Sequence, residues 1–303
     1  MDTRDELRDF LMTRRARITP ERAGLTSFGA RRVPGLRREE VAMAAGVSTD
    51  YYARLEKGKV VNPSDSVLDA VSRVLELDEA EHTHLYDLVR ATCRRTGAAA
   101  RTRPGGPSPR PSLQWMVDSM TDAVALVGSP FLDVTAMNHL ARAMFSPMLA
   151  TVGDGERANF ARFAFLEPAS REFYADWDGV ARTCVALLRM ALGRHPHRRE
   201  LQALVGELST QSAEFRTLWA AHEVRLHHSG TKAFDHPEVG AVELSFHSVE
   251  LPSDPGHVLT IYHAVPGTPS ADALKLLASW AASQQQEQEA GGVPGGAAPA
   301  PSA

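Results

Sequence analysis

The stretch Arg38–Lys59 constrains this chain more than any other, because it predicts two short helices joined by a tight turn. Ala42 is small where two helices must cross closely, and Gly46 stands where the chain turns between them. Ser48 is a favourable N-cap for the second helix, and Gly58 is a favourable residue for ending it. Occurring together at fixed offsets, these features indicate a helix-turn-helix whose second helix enters the DNA major groove, rather than an ordinary helical hairpin.

The residues at the start of this second helix are predicted to face the bases, since that end of a recognition helix enters the groove. The predicted base-facing residues are Ser48, Thr49, Asp50 and Arg54. Arg54 is suited to a guanine O6/N7 edge, and Thr49 is suited to a thymine methyl group. Asp50 repels phosphate, so it is expected to accept from a cytosine or to orient Arg54.

Basic residues at the edges of the motif are predicted to contact the DNA backbone. The candidates for phosphate contact are Arg37, Arg38, Lys57 and Lys59, although Lys57 and Lys59 fit a solvated charge pair equally well. Tyr51 is a candidate for packing on the sugar-phosphate backbone, whereas Tyr52 is spaced for the core. Arg31 and Arg32 are further candidates for contact with the backbone or the minor groove.

Length and charge favour two domains with different partners. A chain of 303 residues is long enough for two, and its net charge of −4 conceals a basic front part and an acidic remainder. The sequence contains no apolar run long enough to predict a membrane span. Its charged N-terminus lacks the apolar core of a secretion signal. Cys93 and Cys184 stand far apart, which favours reduced thiols in a cytoplasmic protein.

The predicted domains are 1–96, an all-helical DNA-binding domain, and 112–282, a mixed domain, joined by a linker over 97–111. The tail 283–303 is too poor in apolar residues to fold. Five helices are expected by about residue 95. Thr3 with Glu6 and Asp78 with Glu81 have the spacing of capping boxes.

The second domain is predicted to be α+β, with an antiparallel sheet covered by helices on one face. A helix is expected over Asp176–Leu192 and is expected to stop at Gly193, and Ser212 is expected to cap a helix that carries Phe215, Trp219 and His222 on one side. The predicted strands are Ala123–Val127, Leu132–Met137, Val224–His228, the run around Val242 to Phe246, and Val258–Ala264.

At this point the chain resembles a known family. Leu36–Gly58 is similar to the Xre-type, lambda-repressor-like helix-turn-helix regulators, and specifically to their MmyB-like branch. Segments similar to the second half of that branch are Phe165–Trp177, Leu188–Pro196, Leu204–Val224, Ser229–Gly240 and Ala264–Ser270. The resemblance covers about residues 5 to 280. It implies a bacterial transcription regulator with a PAS-like C-terminal ligand-binding domain, for which a long-chain fatty acid is the family precedent.

Large apolar side chains of the second domain are candidates for lining a ligand pocket, since small-molecule sites are mostly apolar with few polar groups. These candidates are Trp115, Met116, Trp177, Phe215 and Trp219. His222 is a candidate for holding a carboxylate head group, together with Lys232 or Arg182. The alternative for each aromatic residue is that it fills the core, and for His222 that it is hydrogen-bonded within the core.

Neither metal chemistry nor catalysis is expected. The histidines of the second domain lack a cysteine or carboxylate at the usual ligand spacing. The sequence contains no nucleophile elbow, phosphate loop, dinucleotide fingerprint or zinc-protease motif. We therefore expect that the protein binds no cofactor and is not an enzyme.

These patterns together predict a cytoplasmic, ligand-responsive transcription factor. One small helix-turn-helix contacts too little DNA for selective binding, so a homodimer on a palindromic operator is expected. The ligand is expected to favour one dimer geometry by population shift. The rival hypothesis is a protein–protein interaction module with a ligand-free dimerisation domain, and a third is a catalytic second domain.

Overall fold

The computed structural model describes residues 3–24, 35–94, 110–224 and 227–291. Its first domain is helical, as the sequence predicts. The helices of this domain are Thr3–Arg17 (α1), Arg38–Ala44 (α2), Thr49–Glu56 (α3), Asp65–Val74 (α4) and Glu79–Arg94 (α5). They enclose a core of fully buried apolar side chains that includes Phe10, Val41, Tyr52 and Leu85. Within one helix the buried apolar residues recur at helical intervals, as Leu7, Phe10 and Leu11 do in α1, so each helix turns one face inward.

The turn between α2 and α3 has the geometry that its residues favour. Gly46 adopts φ 71°, a left-handed conformation that costs little without a Cβ, and the N–H of Val47 donates to Ala42 O at 2.9 Å. Ser48 caps α3, since its hydroxyl accepts from the N–H of Tyr51 at 3.1 Å. Gly58, with φ 62°, follows the end of α3. The predicted helix-turn-helix is therefore confirmed.

Of the two predicted capping boxes, the one at Asp78 and Glu81 forms. The N–H of Glu81 donates to Asp78 Oδ1 at 2.8 Å, and the N–H of Asp78 donates to Glu81 Oε2 at 3.2 Å. Glu6 behaves differently, because its carboxylate is buried against Arg189 of the second domain. The expectation that Glu6 caps α1 is therefore wrong, since a charge partner across the domain junction attracts it instead.

The second domain surrounds a five-stranded antiparallel sheet, as predicted. Its strands are Val124–Gly128 (β1), Val134–Met137 (β2), Ser229–His236 (β3), Gly240–Glu250 (β4) and Val258–His263 (β5), in the spatial order β2-β1-β5-β4-β3. Its helices are Pro111–Asp118 (α6), His139–Met144 (α7), Ser146–Leu149 (α8), Phe160–Leu166 (α9), Ala169–Phe173 (α10), Trp177–Arg194 (α11), Arg199–Gln211 (α12), Ala213–Ala220 (α13) and Pro269–Gly291 (α14).

Alternation along the strands separates the two faces of the sheet. Leu126, Phe246 and Tyr262 belong to a large buried cluster that also contains residues of α7 and α14. Ala125 and Val127, which point the opposite way, pack against α6 in a smaller cluster. Most helical cover thus lies on the first face, whereas α6 covers part of the second.

Several predicted boundaries are wrong for identifiable reasons. The strand expected at Val224–His228 lies partly outside the described residues, at 225–226, and β3 begins at Ser229. α11 ends one residue later than expected, at Arg194, since Gly193 does not adopt the positive φ of a helix-ending glycine. The missing Cβ of Gly193 instead makes room for His84. α13 ends at Ala220, so His222, with φ 52°, lies beyond the helix on which it was expected.

The C-terminal boundary also differs. α14 continues past Ser283, where the unfolded tail was expected to begin, as far as Gly291. None of the described helices combines the length and the hydropathy needed to cross a membrane.

The two domains pack against each other through α5 and α11. Met190 of α11 and Val224, which follows α13, are buried in the core cluster of the first domain. α11 of the second domain therefore also packs against the first domain.

Candidate DNA-binding face and ligand cavity

The side chains predicted to face the bases lie at the surface of the first domain. Thr49, Asp50 and Arg54 of α3 are exposed, and so is the capping residue Ser48. Tyr52 and Leu55, on the opposite side of the same helix, are buried in the core. α3 therefore presents a polar edge to solvent, as a recognition helix must before it meets DNA.

Arg38 is engaged within the protein, which the sequence did not reveal. Its guanidinium donates to Glu56 Oε1 from Nε at 3.0 Å and from Nη2 at 2.8 Å, and this bond raises the pKa of Arg38. Glu56 is fully buried, and Arg15 lies 3.4 Å from its other carboxylate oxygen. Arg38 thus helps neutralise a buried carboxylate that joins α1, α2 and α3.

The other predicted phosphate contacts lie at the rim of the motif. Lys57 and Lys59 are exposed after α3, and Tyr51 is half-buried. Arg37 stands at the N-cap of α2, with its Nη1 3.5 Å from Glu39 Oε1. Arg31 and Arg32 lie outside the described residues.

A cavity of about 430 Å³ lies between the sheet and α11 in the second domain. Its floor is made by inward residues of the strands, such as Leu126, Thr260 and Tyr262, and α11 supplies Cys184 and Leu187. The remaining lining includes the aromatic side chains Phe145, Phe160, Tyr174 and Phe234. A mostly apolar cavity of this size suits a small apolar molecule.

Lys232 is a cationic side chain that lines the cavity. It lies on β3, its ammonium stands 5.4 Å from the centre of the Phe246 ring, and no ion pair involving it occurs among the described residues. Burial lowers the pKa of Lys232, and the same desolvation raises the pKa of the neighbouring Cys184 thiol to about 11. A positive group desolvated in this way is well suited to pairing with an anion.

The other seven candidate ligand residues lie outside the described lining of the cavity. Trp115 and Met116 are on α6, beyond the opposite face of the sheet, and Trp115 is 71% exposed. Trp177 donates from Nε1 to Ala164 O at 2.9 Å, and Arg182 is half-buried on α11. Their sequence positions gave no indication of which face of the sheet each would meet.

Phe215, Trp219 and His222 gather around Arg189 instead. Phe215 and Trp219 stack with their rings 5.4 Å apart, and the Arg189 guanidinium lies 4.2 Å from the centre of the Trp219 ring. Arg189 also donates to Glu6 Oε1 and lies 2.8 Å from His222 Nδ1. Since Glu6 belongs to the first domain and the fully buried Arg189 to the second, this cluster is a polar link between the domains.

The cavity extends to the domain junction. Glu79 and Thr83 of α5 belong to its lining, next to Arg194 and His195 at the end of α11. Arg194 donates to Asp87 Oδ2 at 2.9 Å and to Glu250 Oε1 at 3.1 Å. None of these residues was among the predicted site residues, because no local pattern brings α5 and α11 together.

Comparisons with known proteins agree with this architecture. Residues 109–277 match the family model described as MmyB-like transcription regulator ligand binding domain, and residues 6–85 match the model described as helix-turn-helix domain. The chain has no match among curated proteins.

Proposed function

We propose that this chain, which belongs to the MmyB-like transcription regulators, binds a specific operator through α3 and a small anionic apolar ligand in the cavity beneath α11. The assignment as a ligand-sensing regulator follows from its two domains. The observation that carries the finer proposal is the desolvated Lys232 in a mostly apolar cavity.

We assign base contacts to the exposed start of α3. Thr49, Asp50 and Arg54 are free to meet base edges, with Ser48 holding the helix end in place. Arg37, Lys57 and Lys59 are proposed to contact phosphates, and Tyr51 to pack on the sugar-phosphate backbone. Arg38 is proposed to add a phosphate contact while it remains paired to Glu56, since its side chain is still 41% exposed.

Gel-shift titration of the full chain against the DNA upstream of its own gene tests the DNA assignment. Arg54→Ala is expected to weaken specific binding by about 1–3 kcal/mol, because a bidentate guanine contact is lost. Arg73→Ala, an exposed arginine at the end of α4, is the matched control and is expected to bind normally. If Arg54→Ala binds the DNA as tightly as Arg73→Ala does, the proposed role of α3 is contradicted. A protein partner for α3 would then be favoured.

A homodimer on a palindromic operator is the proposed assembly. One recognition helix reads only a few base pairs, and two copies spaced by a helical turn supply the missing selectivity. Such a regulator acts in the cytoplasm, where the bacterial chromosome lies. Light scattering of the full chain bound to operator fragments measures the stoichiometry, and a single copy per operator would exclude the dimer.

The proposed ligand is a fatty acid or a similar acyl anion. The apolar lining accepts the acyl chain of the ligand, and Lys232 pairs with its carboxylate. This ion pair stabilises the buried ammonium of Lys232. Native mass spectrometry of the purified full chain tests whether such a molecule is retained.

Two fluorescent probes distinguish the contribution of the ligand's carboxylate from that of its acyl chain. Lys232→Met is expected to weaken binding of cis-parinaric acid by at least about tenfold, because a desolvated ion pair is lost, and to leave its methyl ester largely unaffected. Lys275→Met is the control, since Lys275 is exposed on α14 and paired with Asp272. If Lys232→Met binds both probes as wild type does, Lys232 does not hold the carboxylate.

A further inference from the structure

We propose that the ligand site is shared between the two domains, with Glu79 and Thr83 of the DNA-binding domain forming part of the surface that contacts the bound molecule. This inference rests on the proposed function of the same cavity. It adds that the ligand reaches the DNA-binding domain by direct contact, rather than only through a change of shape in the sheet.

α5 contributes part of the cavity wall. Glu79 and Thr83 are four residues apart and therefore occupy the same side of α5. Both line the cavity, together with Met190 and Arg194 of α11. A molecule that fills the cavity as far as the junction contacts side chains of both domains.

A residue of the cavity wall holds α5 at the cavity. Arg194 lines the cavity and also donates to Asp87 on α5 and to Glu250 on β4. Hydrogen bonds to these two carboxylates outweigh the effect of burial and raise the pKa of Arg194. One guanidinium thus joins the ligand cavity, the sheet and the DNA-binding domain.

Close packing next to this ion pair fixes how far α5 approaches α11. A Cβ built on Gly193 would lie 2.9 Å from Cε1 of His84, so only a glycine admits the imidazole at this distance. His84 is fully buried there, in edge-to-face contact with Phe10 of the first domain's core. The docked position of the domain is therefore well defined.

The consequence is a thermodynamic link. Only the docked arrangement provides Glu79 and Thr83 to the cavity, so the ligand binds the docked arrangement more tightly than an undocked one. A ligand with this preference increases the docked population, and docking must in turn increase the affinity for the ligand by the same factor. Asp87 is accordingly a positioning residue for a ligand that it does not contact.

Titration of the full chain with cis-parinaric acid tests the proposal. Thr83→Trp fills the cavity from the α5 side and is expected to weaken binding by at least about tenfold. Asp87→Asn leaves the lining intact but removes the partly exposed ion pair to Arg194, and is expected to weaken binding about threefold. Asp87→Glu is expected to restore the affinity.

Asp69→Asn is the matched control, because Asp69 is an exposed aspartate on α4 that pairs with His82 and Tyr86 within the first domain. Hydrogen exchange supplies a second readout: the probe is expected to slow exchange of α5 amides in wild type, and less so in Asp87→Asn. Unchanged affinity in both Thr83→Trp and Asp87→Asn would overturn the shared site and leave the ligand function standing. Failure of the wild-type chain to bind the probe would overturn both.

Discussion

Replacement of Arg189 by methionine is expected to destabilise the full chain by about 3–5 kcal/mol, the usual cost of breaking a buried ion pair from one side. Arg189 is fully buried, and Glu6 is 2% exposed. The guanidinium donates to Glu6 Oε1 and to Trp219 O. Without it, a carboxylate of the first domain is left in a desolvated site beside His222.

The energetics of Glu6 support this magnitude. Burial opposes ionisation of its carboxyl group, but the hydrogen bond with His222 and the charges of Arg189 and His222 together lower its pKa. The stabilisation is therefore present above the unfolded pKa of 4.5 and is lost as the pH falls through the lower folded value. The double variant Glu6→Leu, Arg189→Met removes both charges and is expected to recover most of the loss, because an apolar pair often replaces a buried ion pair without net cost.

Urea unfolding of the four members of this double-mutant cycle, followed by circular dichroism, measures the coupling. Arg22→Met is the control, since Arg22 pairs with Glu76 at the surface and its loss is expected to cost at most about 1 kcal/mol. A destabilisation below about 1 kcal/mol for Arg189→Met would refute the reasoning. So would a double variant whose destabilisation equals the sum of the two single destabilisations.

Three further predictions concern single side chains. Burial lowers the pKa of His84 to about 3, below the ordinary value of 6.5. The stability that depends on neutral His84 is therefore full above pH 6.5 and is lost at about 1.4 kcal/mol per pH unit as the pH falls toward 3. His84→Phe should make the free energy of urea unfolding less sensitive to pH in this range. Gly46→Ala should cost about 1 kcal/mol in thermal unfolding, because its φ of 71° is unfavourable with a Cβ although nothing lies within 4 Å of that Cβ. Lys232→Met should stabilise the ligand-free chain at pH 7, since the folded state lowers the pKa of Lys232, and this advantage should diminish as the pH rises toward 10.5.

The elements that sequence analysis predicted correctly are those defined by residues close together in the chain. Ser48 caps α3 and Gly46 forms the turn through contacts within a few residues, and Asp78 and Glu81 satisfy each other three positions apart. Such bonds need no distant partner, so their patterns are visible in the sequence.

The positions that it predicted wrongly are those where a distant partner overrides the local preference. Glu6 has the spacing of a capping residue, yet it pairs with Arg189 across the domain junction. Gly193 has the composition of a helix stop, yet it lies within α11, where its missing Cβ makes room for His84. At Glu6 the tertiary contact outweighs a capping preference of about 1 kcal/mol.

The ligand candidates illustrate the same limit. Trp115 and Trp219 are large and apolar, but the cavity is lined by other aromatic residues, including Phe145 and Tyr262. These residues come from segments far apart in the chain. The alternation of side chains along each strand predicts only that the sheet has two faces. Which face meets α11 depends on how the sheet is assembled.

The sequence by itself determined the helix-turn-helix, the polar outer edge of its second helix and the mixed α and β content of the second domain, because short-range hydrogen bonds and hydrophobic periodicity encode them. Only the tertiary structure decided where the cavity lies, that Lys232 is desolvated inside it, and that Arg189 and Arg194 bind the two domains together. The physical reason is that burial and charge pairing depend on which distant surfaces meet, and packing alone selects those surfaces.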